Sequence, residues 1–306
     1  MIRYILRRIV LLIPLLFGVS ILIFVIIRLI PGDPARLALG AEATEDQVQL
    51  MRRQWGLDQP LPVQYAYWIG HALQGDWGRS TVSRVPASDE IGLRLPATLR
   101  LAACSVLIAC VLGVGFGVLA AVRHNTWLDR LSMVIALLGV CTPSFWLGLM
   151  LILVFSVQLG WLPSFGQGGL DHLLLPSLTL GAGAAALIAR VTRSSLLEVM
   201  SADYLRTARA KGLAEHLVVG RHALRNALIP VVTLLGLEFG GLLAGAIVTE
   251  TVFAYPGIGL LLVNSIGNRD FAVIQPALLL FAFQFVLVNL VVDILYAVVD
   301  PRITYA

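Results

Sequence analysis

Leu101–Val122 reads LAACSVLIACVLGVGFGVLAAV, twenty-two residues without a charged side chain. The hydrocarbon core of a bilayer is roughly 30 Å thick and takes about 20 apolar residues in helical form. Within that layer a helix satisfies every backbone N–H and C=O from its own segment. The stretch therefore predicts a transmembrane helix. The rest of the chain agrees, because 58% of its 306 residues are hydrophobic and 13% are charged, against roughly 25% charged in a soluble globular domain.

Working outward, the same character recurs in approximately Ile9–Ile27, Leu131–Leu159, Leu173–Ala189, Ala227–Thr249 and Phe271–Val299, giving six predicted spans. The third and sixth are long enough to tilt or to leave the bilayer at one end. The first follows Arg3, Arg7 and Arg8. Its apolar run is too long for a secretion signal and the weak Ala38-Leu39-Gly40 site lies too far downstream, so residues 1–30 are read as an uncleaved anchor. Cationic side chains then set the orientation. With the N-terminus in the cytoplasm, the short interior segments hold Arg3, Arg7, Arg8, Arg123, Arg130, Arg193, Arg206, Arg209, Lys211, Arg221, Arg225 and Arg302, and the short exterior ones hold only Arg269. Both termini are expected inside, with residues 31–97 exported and residues 98–306 forming the core with the other five spans.

Several function classes drop out. The net charge of +4 comes from arginines beside apolar runs, which orient a membrane protein better than they bind nucleic acid. Lys211 is the single lysine and stands between Ala210 and Gly212, so no Gly-x-x-x-x-Gly-Lys-Ser/Thr phosphate loop exists and any ATP is bound by another chain. Cys104, Cys110 and Cys141 lie inside apolar runs, where they staple no exported loop. His71, His124, His172, His216 and His222 lack metal-ligand spacing. No Ser-His or Cys-His constellation is present, so no catalytic residue, metal or cofactor is expected on this chain.

The exported segment is itself helical. Thr44-Glu45-Asp46-Gln47 reads as a capping box before a helix from Val48 to Trp55 that Gly56 stops. Pro62 opens a second helix to about Gln74, and Gly75-Asp76-Trp77-Gly78-Arg79-Ser80 reads as a turn. Trp55, Tyr65, Tyr67 and Trp68 suit either a membrane interface or an external partner.

The interior loop 192–226 is the most informative part. Ser201 or Asp203 is placed to cap a short helix through Tyr204-Leu205-Arg206-Thr207-Ala208-Arg209-Ala210-Lys211, which Gly212 ends, and a second helix is expected from about Leu213 to Leu224. The simpler alternative is a solvated connector with membrane-proximal arginines. Inside the spans, Glu238 falls mid-membrane, where a carboxylate either faces a polar path or joins two helices by hydrogen bonding. Thr142-Pro143 interrupts the third span. Gly113 with Gly117, Gly236 with Gly240 and Gly241 with Gly245 recur at the four-residue spacing that lets helices approach closely. Asp293, one turn beyond Asn289, suits helix–helix bonding.

The stretch Asp203-Tyr204-Leu205-Arg206-Thr207-Ala208-Arg209-Ala210-Lys211-Gly212, followed by Arg221-His222-Ala223-Leu224-Arg225-Asn226-Ala227-Leu228-Ile229-Pro230, resembles the cytoplasmic loop of peptide/nickel/opine-type ABC importer permeases. Arg206 and Thr207 replace the leading Glu-Ala of the wider importer motif, as suits the peptide branch. Pro31-Gly32-Asp33-Pro34-Ala35, Gly56-Leu57-Asp58-Gln59-Pro60, Thr249-Glu250-Thr251-Val252-Phe253-Ala254-Tyr255-Pro256-Gly257-Ile258-Gly259, Arg269-Asp270 and the run from Asn289 to Asp300-Pro301-Arg302 are similar to the same family.

The resemblance implies an all-α, type I importer permease fold in the bacterial inner membrane. It also implies a second homologous permease, two ATPase subunits that bind ATP and Mg, and an extracytoplasmic substrate-binding protein. Residues Asp203 to Gly212, with His216 and Arg221, would then couple to an ATPase cleft, while Glu238, Thr142 and Gly241 are candidates for the translocation path. Di- or oligopeptides are the implied cargo, with glutathione, nickel chelates or opine-like compounds as alternatives. An ion-coupled carrier using Glu238 is the reading of another class, disfavoured by the missing inverted repeat.

Overall fold

The computed structural model describes residues 2–29, 33–39 and 43–299. Pro31, Gly32, Gly40 and Asp300-Pro301-Arg302 lie outside the described residues, as do the side chains of Arg3, Arg7 and Asp293. The elements are helices: α1 (Ile2–Leu29), α2 (Pro34–Leu39), α3 (Glu45–Gln54), α4 (Leu61–Leu73), α5 (Ala87–Val122), α6 (Trp127–Cys141), α7 (Ser144–Leu151), α8 (Leu170–Met200), α9 (Asp203–Ala210), α10 (Glu215–Leu217), α11 (Leu224–Val252), α12 (Ile258–Gly267) and α13 (Phe271–Val299). π-Helical turns extend α7 through Ile152–Gln158 and join α10 to α11 through Val218–Ala223.

Among the described residues, five helices are long and apolar enough to cross a membrane, and the count reaches six if α6 and α7 form one broken span. That pair corrects the expectation of a single long third span. The chain bends there by 110°, far beyond a tilt, because Thr142 leaves the helix with φ −80° and ψ 123° and Pro143 has no N–H to continue it. Other boundaries also moved. α5 begins at Ala87, ten residues inside the stretch expected to be exported, and α12 occupies part of the short exterior segment that bears Arg269, between the fifth and sixth expected spans.

Two compact units partition the chain. One comprises the described residues of Ala97–Pro256 and of 285–299, and the other those of Ile2–Pro96 and Gly257–Gln284. In the first, α8 is the hub and the most buried of the apolar helices. Leu175, Leu180, Ala184, Ala185 and Ile188 of α8 meet Leu101 and Ala109 of α5 and Val231, Leu242 and Ala246 of α11 in its core. Gly113 and Gly117 set the α5–α8 distance: a methyl added to Gly113 would lie 2.7 Å from Ala185 O, and one on Gly117 would lie 2.5 Å from Thr192 Cβ. A methyl added to Gly181 of α8 would likewise lie 2.7 Å from Ser105 O. Gly236 likewise seats α11 against Val292 of α13.

In the second unit the capping box forms as expected, with Thr44 accepting from Gln47 N–H while Gln47 Oε1 accepts from Thr44 N–H. Gly56 ends α3 at φ 63°. Tyr65 and Trp68 of α4 pack on α1, where the Tyr65 ring lies 5.4 Å from Phe24 and 5.9 Å from Phe17 and the Tyr65 hydroxyl meets Ser20 Oγ at 2.7 Å. Trp55 and Tyr67 stay exposed.

Candidate functional site

The loop between α8 and α11 is a folded element with two faces. The 3.6-residue period puts Leu205 and Ala208 of α9 on one side, where they are buried with Leu196, Val218, Val219, Ala223, Ala227 and Ala121. The other side leaves Asp203, Tyr204, Arg206 and Thr207 exposed, along with Ala210 at its end. Neither expected cap forms. Ser201 closes α8, donating its hydroxyl to Glu198 O, Asp203 is already helical, and Ala202 occupies the N-cap position without a side-chain bond.

The stop at Gly212 is as expected and has a clear geometry. Its φ is 77°, its N–H reaches Arg209 O at 2.9 Å, and Leu213 N–H reaches Ala208 O at 3.4 Å. These are the two bonds of a Schellman ending, which needs a left-handed residue here. The second loop helix differs from expectation: residues 213–214 are not helical, α10 is short, and the π-helical turn runs straight into α11. The loop is thereby continuous with a long apolar helix.

Polar contacts fix this shape. Arg209 donates to Glu215 through Nε at 3.1 Å and Nη2 at 2.8 Å, a fork-to-carboxylate pair that pushes the guanidinium above its ordinary value. Asn226 Nδ2 donates to the Tyr204 hydroxyl at 2.8 Å, tying α9 to the start of α11. Arg206 meets Asp203 at 3.4 Å with both side chains in solvent, a pair worth little. Lys211, His216 and Arg221 are exposed and form no ion pair among the described residues.

A model of the binding-protein-dependent transport system inner membrane component matches residues 113–305, and one of the N-terminal part of such membrane components matches residues 1–102. The chain belongs to this family of ABC importer permeases. The permease is 53% identical over 305 residues to the glutathione transport system permease protein GsiC of Escherichia coli strain K12, covering 100% of both chains, and equally so to GsiC of Shigella flexneri serotype 5b (strain 8401). Its fold is shared with the inward-facing MetNI methionine ABC transporter, at a TM-score of 0.59 and 23% identity over 69% of this chain and 96% of that one. An amino acid ABC transporter crystallised with histidines gives 0.54 and 15%, over 69% and 94%.

Elsewhere in the permease, Glu238 is half-buried on α11 and makes no hydrogen bond or ion pair among the described residues. Gly241, three residues on and so on the same helix face, opens onto free space. Thr142 stands at the α6–α7 bend, where its N–H donates to Leu138 O at 2.9 Å. Two carboxylate sites escaped sequence reasoning. Glu250 is fully buried and accepts from Thr98 Oγ1 at 2.6 Å, and the neighbouring Tyr255 is buried too, which pushes its phenol above the ordinary value. Asp129 accepts from Arg193 Nε at 2.6 Å and Nη2 at 2.8 Å. An acid inside an apolar run was the available signal for Glu250; the Asp129 pairing joins residues 64 apart in the chain.

Proposed function

We propose that this permease carries short peptides inward across the bacterial inner membrane, with both its termini in the cytoplasm, and that glutathione is the first cargo to test. The observation that carries this reading is the loop 201–223. Its apolar face is anchored on the ends of α5, α8 and α11, and its exposed face presents Arg206, Lys211 and Arg221 with little local compensation. A rigid knob continuous with a transmembrane helix is the shape a lever needs. Full-length likeness to the glutathione permeases supports both the machinery and the cargo class.

In this reading two separate ATPase subunits bind ATP and Mg and seat the loop in a cleft. Their closure moves α9 and, through the π-helical turn, α11. A second homologous permease completes the passage and an extracytoplasmic binding protein delivers the cargo. Glu238 faces the passage, because it is neither buried nor spent on a partner. Glu238→Gln is expected to change uptake rate or cargo range in proteoliposomes; transport identical to wild type would remove it from the path. The reading as a whole is tested by reconstituting the complex with its binding protein and measuring ATP hydrolysis across a cargo panel. Stimulation by glutathione or other short peptides is expected, and stimulation only by a nickel chelate or an opine would overturn the peptide assignment.

A further inference from the structure

A cavity of about 1150 Å³ opens between α1, α3, α4, the turn after α4 and the α12–α13 junction, wholly inside one compact unit. Arg28, Arg53, Arg79, Arg84 and Arg269 are among its lining residues, against only two acidic ones, Asp58 and Asp76. Asp76 already has a neighbour in His71 at 3.5 Å. None of these arginines forms an ion pair among the described residues.

A buried acid next to Arg269 in sequence is spent elsewhere. Asp270 is 2% exposed, and its carboxylate accepts from Ser80 Oγ and, at 3.1 Å, from Thr81 N–H. Ser80 Oγ accepts in turn from the Val82 and Ser83 N–H groups at 3.2 and 3.0 Å. Asp270 thus fixes the turn that bears Arg79 and Arg84 without neutralising either. Arg84 and Arg269 also hold left-handed backbone, with φ of 64° and 55°. A residue with a Cβ adopts that conformation at a cost, and such strain gathers where a side chain must be aimed.

Two orphaned atoms of opposite kind belong to the same lining. Arg28 Nε, a donor, and Gln64 Oε1, an acceptor, are buried without hydrogen-bond partners. Phe24 covers one face of the Arg28 guanidinium at 5.1 Å, leaving its edge for an anion.

We propose that this cavity binds a short peptide bearing at least two carboxylates, and that it is the site on the permease that selects cargo by charge. The proposal rests on the peptide-importer reading and adds an acidic cargo to it. Guanidinium forks take carboxylates bidentately, Gln64 Oε1 accepts from an ammonium or amide N–H, and Trp68 and Trp77 supply apolar wall. A cleft lined by one sign of charge concentrates ligand of the other.

The test is equilibrium dialysis of radiolabelled glutathione, which has two carboxylates, against the intact complex in nanodiscs of zwitterionic lipid without binding protein. Saturable binding is expected, weakened by salt and weakened about tenfold or more by Arg79→Gln/Arg84→Gln. Trialanine, with one carboxylate, is expected to bind at least about tenfold more weakly. Failure of glutathione to bind, or equal binding by the double variant, overturns the proposal. So does displacement of glutathione on adding anionic lipid, which would mark a headgroup site. A variant that binds glutathione normally but loses affinity for the binding protein would make the cavity a docking surface, which also overturns it. Peptide uptake with the binding protein present is scored separately on the wild-type complex, so failure of the importer reading is told apart from failure of this site.

Discussion

Glycine does two different jobs in this permease, at the α5–α8 seam and at the end of α9. At Gly113 and Gly117 there is no room for a side chain, because a methyl would meet α8 at 2.7 and 2.5 Å. At Gly212 a methyl would meet open space, and the demand is the backbone's, at φ 77°. The seam is held by tertiary closeness. The loop's shape is set within the loop itself, which leaves its outer face free to meet another chain.

Substitutions can break this contrast in order of severity. Gly117→Leu forces α5 off α8 and is expected to abolish accumulation of folded permease in the membrane, read by detergent extraction and thermal aggregation; a wild-type yield would mean that the helices are not so close. Leu205→Ala empties a fully buried position and is expected to cost the loop about 2–5 kcal/mol. Hydrogen exchange should then quicken over residues 203–223 while the spans keep their protection. Gly212→Ala should cost about 1–2 kcal/mol through the left-handed backbone alone. Faster exchange confined to the end of α9, with normal membrane accumulation, is the outcome that fits; a loss of folded chain like that of Gly117→Leu would erase the distinction between the two glycines.

Much of this was legible in the residues. Spans are read from apolar runs longer than any soluble helix needs, and the Thr44 capping box and the stops at Gly56 and Gly212 are local chemistry, complete within a few residues. What stayed hidden depends on distant partners. Thr142-Pro143 announces a kink but not its 110° size, and α7 packs where a methyl on Gly148 would lie only 3.1 Å from Phe253 and 3.2 Å from Thr179. α12 is too short and too uniformly apolar for its period to separate it from a loop. The cavity arginines read as ordinary surface charge until Asp270 and Ser80, 190 residues apart, are brought together. Ala208 is buried, so a charge there reports on packing; Arg206 and Lys211 are exposed positions.

The proposed coupling role is tested most directly by reversing those two charges. With Arg206→Glu/Lys211→Glu in the reconstituted complex, cargo uptake and ATP hydrolysis are measured in the same vesicles. Uptake per ATP hydrolysed is expected to fall at least about tenfold, with the spans folded and cargo still bound. Unchanged uptake per ATP, with all subunits assembled, would contradict the loop as the receiver of the ATPase motion.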